Sequence, residues 1–186
     1  MDISDIKLGL IINMDNQPYQ VIWSNFMRTA QRKPVMQTKL KNIINGKVIE
    51  YSFKFGEKIS EADVTRERAS FLYADGGGTH FMNQENFEQI DFPKEATQEQ
   101  EKFLKEGMEV MVLHYNGNPV SIELPIKIDL KVAEAPPAIT GNSAGSITKP
   151  VTLETGLVVQ TPMFIKEGDT IRIDTRTSSY VERANA

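Results

Sequence analysis

The sequence has 186 residues, with 21 Lys and Arg against 25 Asp and Glu, and a formal net charge of −4. It contains no Cys, which excludes a disulfide framework, a Cys-ligated metal and a thiol nucleophile, and only two His, which leave little for a His-based metal site. No apolar run approaches the roughly 18 residues of a membrane span, and the start at Met1–Asp5 is acidic where a secretory signal would be basic. We therefore expect a cytoplasmic protein that does not enter membranes.

Short strands joined by tight turns dominate the pattern along the chain. Leu8 to Asn13 and Tyr19 to Trp23 should form the first pair, and Ile49, Tyr51 and Phe53 alternate with polar residues as in a strand with one buried face. Turns are expected at 15–18, 45–46, 75–78 and 116–117. Asn-Gly at 45–46 and again at 116–117 readily supplies the two positive φ angles of a type I′ turn.

One helix interrupts the strands. Thr97 followed by Gln100 fits a capping box, which predicts a helix that begins there and ends before Gly107. The segment 103–110 resembles 164–171, with four of eight residues identical at an offset of 61 residues, and this weak repeat suggests two similar barrels in tandem.

The remaining strand spacing of 8–12 residues is typical of sandwiches or small barrels. The Pro-containing segment 133–138 has the composition of a linker. We therefore predict an all-β protein of three small β-barrel domains in tandem, at 1–63, 64–128 and 129–186.

Charge is distributed unevenly over these three blocks. Residues 1–62 carry nine basic and six acidic residues, residues 63–128 six and twelve, and residues 129–186 six and seven, which gives +3, −6 and −1. No acid occurs between Asp15 and Glu50, a stretch with six cations: Arg28, Arg32, Lys33, Lys39, Lys41 and Lys47. The stretch could be an ordinary solvated strand face, but we favour a patch that contacts phosphates.

The centre of this stretch, Thr29 to Pro34, is polar and basic between two strand-like sequences. Such a tip is either a solvated turn, which is the commoner case, or a finger that enters a phosphate-lined cavity, where Arg32 and Lys33 would displace counterions. The residues alone do not decide between these two.

No enzyme signature is present. Gly76-Gly77-Gly78 precedes a strand and not a helix, so it is unlike a phosphate-binding loop, and His80 and His114 lie apart in strand patterns. We expect no catalytic residue, no metal site and no cofactor.

Several segments, in order along nearly the whole chain, resemble bacterial elongation factor P. The most specific is the C-terminal stretch 149–176, followed by Tyr180-Val181-Glu182-Arg183. Shorter matches lie at 39–42, 71–73, 81–83 and 86–90.

The resemblance implies an SH3-like (KOW-type) first domain and two OB folds in an L-shaped, tRNA-like arrangement. It implies a translation factor, not an enzyme and acting as a monomer, that binds the ribosome between the peptidyl and exit sites, beside the peptidyl-tRNA and ribosomal RNA. Such a factor promotes peptide-bond formation by positioning and relieves stalling at consecutive prolines.

The resemblance also implies site residues, with two departures from the family pattern. The tip residue that most members carry as a modified Lys or Arg is Gln31 here, so Gln31, Arg32 and Lys33 would face the tRNA acceptor end without modification. Basic residues Arg28, Lys39 and Lys41 would contact tRNA or ribosomal RNA. In the third domain, Gly141-Asn142-Ser143 replaces a loop of Gly-Asp-Thr type, and these three residues, with Tyr180 and Arg183, would lie near RNA.

A second hypothesis is a general single-strand RNA-binding OB protein without ribosome specificity. Such proteins interleave aromatic and basic residues on their OB faces. The acidic or near-neutral blocks after residue 62 count against it.

Overall fold

The computed structural model describes residues 1–28, 33–137 and 148–184. They form three five-stranded antiparallel sheets and confirm the predicted all-β class. No helix in these ranges is long and apolar enough to cross a membrane.

The first sheet is built from the N-terminal third of the chain, after a short 3₁₀ turn at Ile3–Asp5. Its strands are β1 (Ile11–Met14), β2 (Gln17–Met27), β3 (Val35–Asn42), β4 (Val48–Lys54) and β5 (Ser60–Glu61). They are ordered β4-β3-β2-β1-β5, so β2 and β3 are neighbours within the sheet. The last residue pair of the long β2–β3 hairpin is Met27 opposite Val35.

The second sheet follows. The one α-helix of the described residues lies between two of its strands along the sequence. The elements are β6 (Val64–Ala74), β7 (Gly78–Asn83), β8 (Gln89–Pro93), α1 (Lys94–Glu101), β9 (Glu109–Tyr115) and β10 (Asn118–Glu123). The order in the sheet is β10-β9-β6-β7-β8.

The third sheet takes the rest of the chain. It consists of β11 (Lys127–Glu134), β12 (Thr148–Leu153), β13 (Val158–Pro162), β14 (Thr170–Asp174) and β15 (Ser179–Arg183), ordered β13-β12-β11-β14-β15. The chain packs into two compact units, Met1–Glu67 with Met111–Ile122, and Arg68–Val110 with Glu123–Ala186. The three domain boundaries expected from the sequence stay a prediction.

Period-two burial explains why these segments form strands with one apolar face. In β3, Met36, Thr38, Leu40 and Asn42 are buried while the residues between them are exposed or half-buried. The core of the first unit gathers buried side chains from several elements: Ile3, Ile6, Ile12, Val21, Met36, Leu40, Phe53 and Ile59. In the second unit, the rings of Phe71, Phe81 and Phe92 pack in sequence, with centroids 5.5 and 5.7 Å apart.

The weak sequence repeat corresponds to a repeated backbone arrangement. Gly107 N donates to Phe71 O at 2.9 Å, and Phe71 N donates to Met108 O at 2.8 Å. The same pair of bonds recurs 61 residues later, where Val132 takes the place of Phe71 and Gly168 and Asp169 take those of Gly107 and Met108, at 2.9 and 2.8 Å. The repeat therefore marks equivalent places in the second and third sheets.

Two local predictions are wrong. The helix begins at Lys94, not near Thr97, because the Thr97 side chain is buried and hydrogen-bonds Thr79 Oγ1 at 2.8 Å. At the Asn45-Gly46 turn only Gly46 has positive φ, since the Asn42 side chain caps a longer loop through the amides of Ile44 and Asn45. The Asn116-Gly117 turn does have both φ angles positive, as expected.

Candidate nucleic-acid interface

The hairpin β2–β3 carries the predicted basic residues of the first domain. Its two strands pair up to Met27 opposite Val35, and Arg28 and Lys33 follow directly beyond that last pair, both exposed. Gln31 and Arg32 lie outside the described residues. Within the described ranges, neither Arg28 nor Lys33 forms an ion pair, so both cations are available at the end of the hairpin.

Lys39 and Lys41 lie further down β3, on the face that points away from the core. The alternation that buries Thr38, Leu40 and Asn42 leaves both lysines exposed. Lys39 Nζ lies 3.2 Å from Glu50 Oε1 on β4, whereas Lys41 has no ion-pair partner among the described residues. On β3, one lysine of this outer face is therefore ion-paired, and the other has no ion-pair partner within the described ranges.

Trp23, for which the sequence pattern predicts only a place in a strand, lies next to these lysines on β2. Val21 pairs with Leu40 and Trp23 pairs with Lys39, so Ile22 is an extra residue in β2 and forms a β-bulge. Residues two apart in a regular strand share a face, but the bulge turns Trp23 away from buried Val21 and onto the outer face. There its side chain is 44% exposed beside Lys39.

Of the third-domain candidates, only Tyr180 and Arg183 lie within the described residues. Gly141, Asn142 and Ser143 lie outside the described residues. Tyr180 is half-buried on β15 opposite Ile173, which agrees with packing at the end of the sheet. Arg183 is exposed, but its Nη2 donates to Asp169 Oδ1 at 2.7 Å, so part of its charge is compensated within the chain.

A neighbouring ion-pair network explains the electrostatics of this strand. Arg172 Nε donates to Asp129 Oδ1 at 2.8 Å and Arg172 Nη1 donates to Glu182 Oε1 at 2.8 Å. The hydrogen bond from Arg172 lowers the pKa of the Asp129 carboxyl. These residues join β11, β14 and β15 and have the character of a structural cross-link.

The two histidines and the acidic side chains of the described residues were compared with the requirements of a metal site. No group of three His, Asp or Glu side chains in those ranges could hold a metal ion. His80 and His114 each lie beside carboxylates, Asp91 and Asp75 for the first and Glu67 for the second.

Comparison with known proteins covers nearly the whole chain. Residues 2–59 match the KOW-like domain of elongation factor P, residues 64–122 its OB domain, and residues 128–183 its C-terminal domain. Elongation factor P of Aquifex aeolicus is 42% identical over 183 residues, which is 98% of this chain and 95% of that protein. Elongation factor P of Moorella thermoacetica is 44% identical over 181 residues, 97% of this chain and 98% of that protein.

A solved structure shows a similar fold. Eukaryotic translation initiation factor 5A from Methanococcus jannaschii aligns with a TM-score of 0.52 at 14% identity, over 67% of this chain and 93% of that one. The resemblance and the expected barrel types are thereby confirmed.

Proposed function

Because this chain belongs to the elongation factor P family and is a translation elongation factor, we propose that it binds the ribosome beside the peptidyl-tRNA, between the peptidyl and exit sites. There it stimulates peptide-bond formation and relieves stalling at consecutive prolines. It acts in the cytoplasm as a monomer, requires no cofactor and performs no covalent chemistry of its own.

The observation that supports this proposal is the end of the β2–β3 hairpin. Arg28 and Lys33 leave its last strand pair on either side of a four-residue tip, in a stretch without acids from 16 to 49. A hairpin end that carries two exposed cations suits contact with a tRNA acceptor arm, because the cations attract phosphates while the sheet fixes the direction of the hairpin. Positioning the acceptor end in a productive geometry is sufficient to accelerate the reaction.

We further propose that the tip acts unmodified. Gln31 would hydrogen-bond at the acceptor end, and Arg32 would supply the cation that other members carry one position earlier. Lys39 and Lys41 would contact tRNA or ribosomal RNA. Gly141, Asn142 and Ser143 would lie near RNA at the exit site, and Tyr180 and Arg183 would also lie near RNA.

Translation of a reporter with a run of prolines tests this function. The wild-type protein should restore synthesis in a translation system that lacks the factor, and a reporter without the proline run should not respond. Arg32→Ala and Lys33→Ala should each reduce the rescue, whereas Lys166→Ala, an exposed lysine of the second compact unit, should not. No rescue by the wild type would refute the function, and full rescue by both tip variants would refute the tip mechanism.

Mass spectrometry of the natively expressed tip peptide tests the unmodified state. We expect the unaltered mass over Gln31, Arg32 and Lys33. An added mass on any of them would show that the tip is modified.

The alternative, a general single-strand RNA-binding protein, has one observation in its favour, since Trp23 is an exposed aromatic residue beside a lysine. Comparable affinity for free RNA and for ribosomes would favour it. A strong preference for ribosomes is the expected result.

A further inference from the structure

The outer face of strands β2, β3 and β4 carries an aromatic, a polar and a basic group side by side. We propose that this face is a binding platform for one unpaired RNA nucleotide, with Trp23 stacked on its base. The proposal rests on the proposed function only in taking RNA as the partner. It assigns a second contact, separate from the tip loop, to the same domain.

Cross-strand registry defines the platform. Trp23, Lys39 and Glu50 are directly opposite one another across the three strands. Side chains opposite each other on one face have Cβ atoms about 4.5–5.5 Å apart, so the indole and the Lys39 stem are immediate neighbours. The β-bulge at Ile22 creates this row, and bulges commonly re-aim a side chain at functional sites.

The next row along the strands is polar. Asn25, Gln37 and Ser52 are opposite one another, all exposed, and their side chains form no hydrogen bond within the described part of the chain. Two primary amides offer both donors and acceptors, which is what the edge of a nucleobase requires. A base stacked on Trp23 would present its edge toward this row.

The charge of the face selects a phosphate-bearing ligand. Lys39, Lys41 and Lys54 project from it, and Glu50 is its only acid within the registered strand pairs. Lys41 is free among the described residues, and Lys39 needs only to exchange Glu50 for a phosphate. The surplus of cations disfavours a basic protein partner and favours RNA.

Single-stranded RNA fits this surface better than a duplex does. Sheet surfaces with exposed aromatic residues bind RNA by stacking unpaired bases, whose faces are accessible only outside a helix. A sheet face this broad cannot enter the deep, narrow major groove of A-form RNA.

The experiment uses the intrinsic fluorescence of Trp23, which is the single Trp of the sequence. The full-length protein is titrated with an eight-nucleotide oligo-adenylate and an oligo-uridylate at about 50 mM salt, where phosphate contacts are strong. Both single strands should quench the emission, and a blunt RNA duplex should quench it much less. If neither single strand changes the emission, the proposal is overturned.

Substitutions measured with labelled RNA give the second test. Trp23→Ala should weaken binding about 5- to 150-fold, which corresponds to about 1–3 kcal/mol of stacking per base, whereas Trp23→Phe should keep most of the affinity. Phe164→Ala removes a more exposed aromatic residue, 59% accessible, from the second compact unit and should change nothing. Equal affinity of wild type and Trp23→Ala overturns the proposal.

Two further outcomes separate this inference from the proposed function. If Trp23→Ala rescues the proline reporter fully and the wild type shows no quenching, the platform is refuted and the factor activity stands. If quenching occurs but the wild type fails to rescue, the platform stands and the proposed function is refuted. A photo-crosslinker at position 23 that captures a ribosomal protein and no RNA also refutes the platform.

Discussion

His80 and Asp91 are opposite each other on β7 and β8, and Nδ1 of the imidazole lies 2.6 Å from Oδ1 of the carboxylate. On its other side, Nε2 lies 3.3 Å from Asp75 Oδ1, in the turn that precedes β7. The Tyr73 ring covers the imidazole, with centroids 4.5 Å apart. A histidine held between two carboxylates should bind its proton more tightly than a free one.

The first prediction concerns the pH dependence of this cluster. The pKa of His80 is raised above its ordinary 6.5, mainly because of the hydrogen bond with Asp91. The nearby Asp75 raises it further, whereas desolvation lowers it. The resulting stabilisation is fully present below pH 6.5 and is lost as the pH rises through the raised pKa. NMR titration of the His80 ring proton should show this higher midpoint.

A matched pair of variants checks the cause. Asp91→Asn should bring the pKa of His80 down, because the main stabilising partner of the imidazolium is removed. Asp174→Asn, whose carboxylate pairs with Arg176 instead, should leave it unchanged. A His80 midpoint unaffected by Asp91→Asn would contradict the assignment.

The second prediction concerns Gly78, where β7 begins. A Cβ at this position would overlap the carbonyl oxygen of Phe92 and lie 3.2 Å from the amide nitrogen of Lys94, and its φ of +151° is rare for other residues. Gly78→Ala should therefore lower the free energy of unfolding by about 1–3 kcal/mol or more. Gly76→Ala should change the free energy of unfolding little, because nothing lies within 4 Å of its added Cβ. Urea titration of both variants and the wild type measures the difference.

The strands and most turns were predictable because they depend on alternation and on local turn chemistry. The Asn116-Gly117 turn has the two positive φ angles expected from its sequence. The helix start was not predictable in this way, because the buried hydrogen bond between Thr97 and Thr79 joins residues 18 apart and competes with capping.

Trp23 shows the same limit at the candidate interface. Alternation from Val21 places it in the core, and only the pairing with β3 reveals that Ile22 is an extra residue. On β3, which has no such irregularity, simple alternation does place Lys39 and Lys41 on the exposed face. The ion pair of Lys39 with Glu50 was missed, since strand register is a property of two segments and not of one.

The third prediction concerns Phe87, in the turn between β7 and β8. It has a φ of +60°, which is unusual for a bulky residue, and its side chain is 72% exposed. Phe87→Gly should raise the free energy of unfolding by about 1 kcal/mol, because left-handed strain is removed and little buried surface is lost.

Phe164→Gly provides the control, because Phe164 is also exposed but its φ is not positive. That variant should be destabilised, since glycine gains unfolded-state entropy without relieving strain. Thermal unfolding of both variants alongside the wild type measures the difference. A destabilised Phe87→Gly would show that the ring contributes more than the strain costs.

The fourth prediction concerns the acid beside the platform. Glu50 neutralises Lys39 at 3.2 Å and repels phosphates, so Glu50→Gln should tighten single-stranded RNA binding by about 1.5- to 5-fold, the range expected for an exposed ion pair. Lys41→Ala should weaken it and reduce the slope of log affinity against log salt by about 0.7, because one phosphate contact is lost. Anisotropy titrations at several salt concentrations measure both effects.

Glu134→Gln is the matched control, because it also removes one negative charge, from an exposed site on β11. The RNA affinity of this variant should stay close to that of the wild type. If Glu134→Gln and Glu50→Gln tighten binding equally, net charge and not the local pairing with Lys39 controls the affinity.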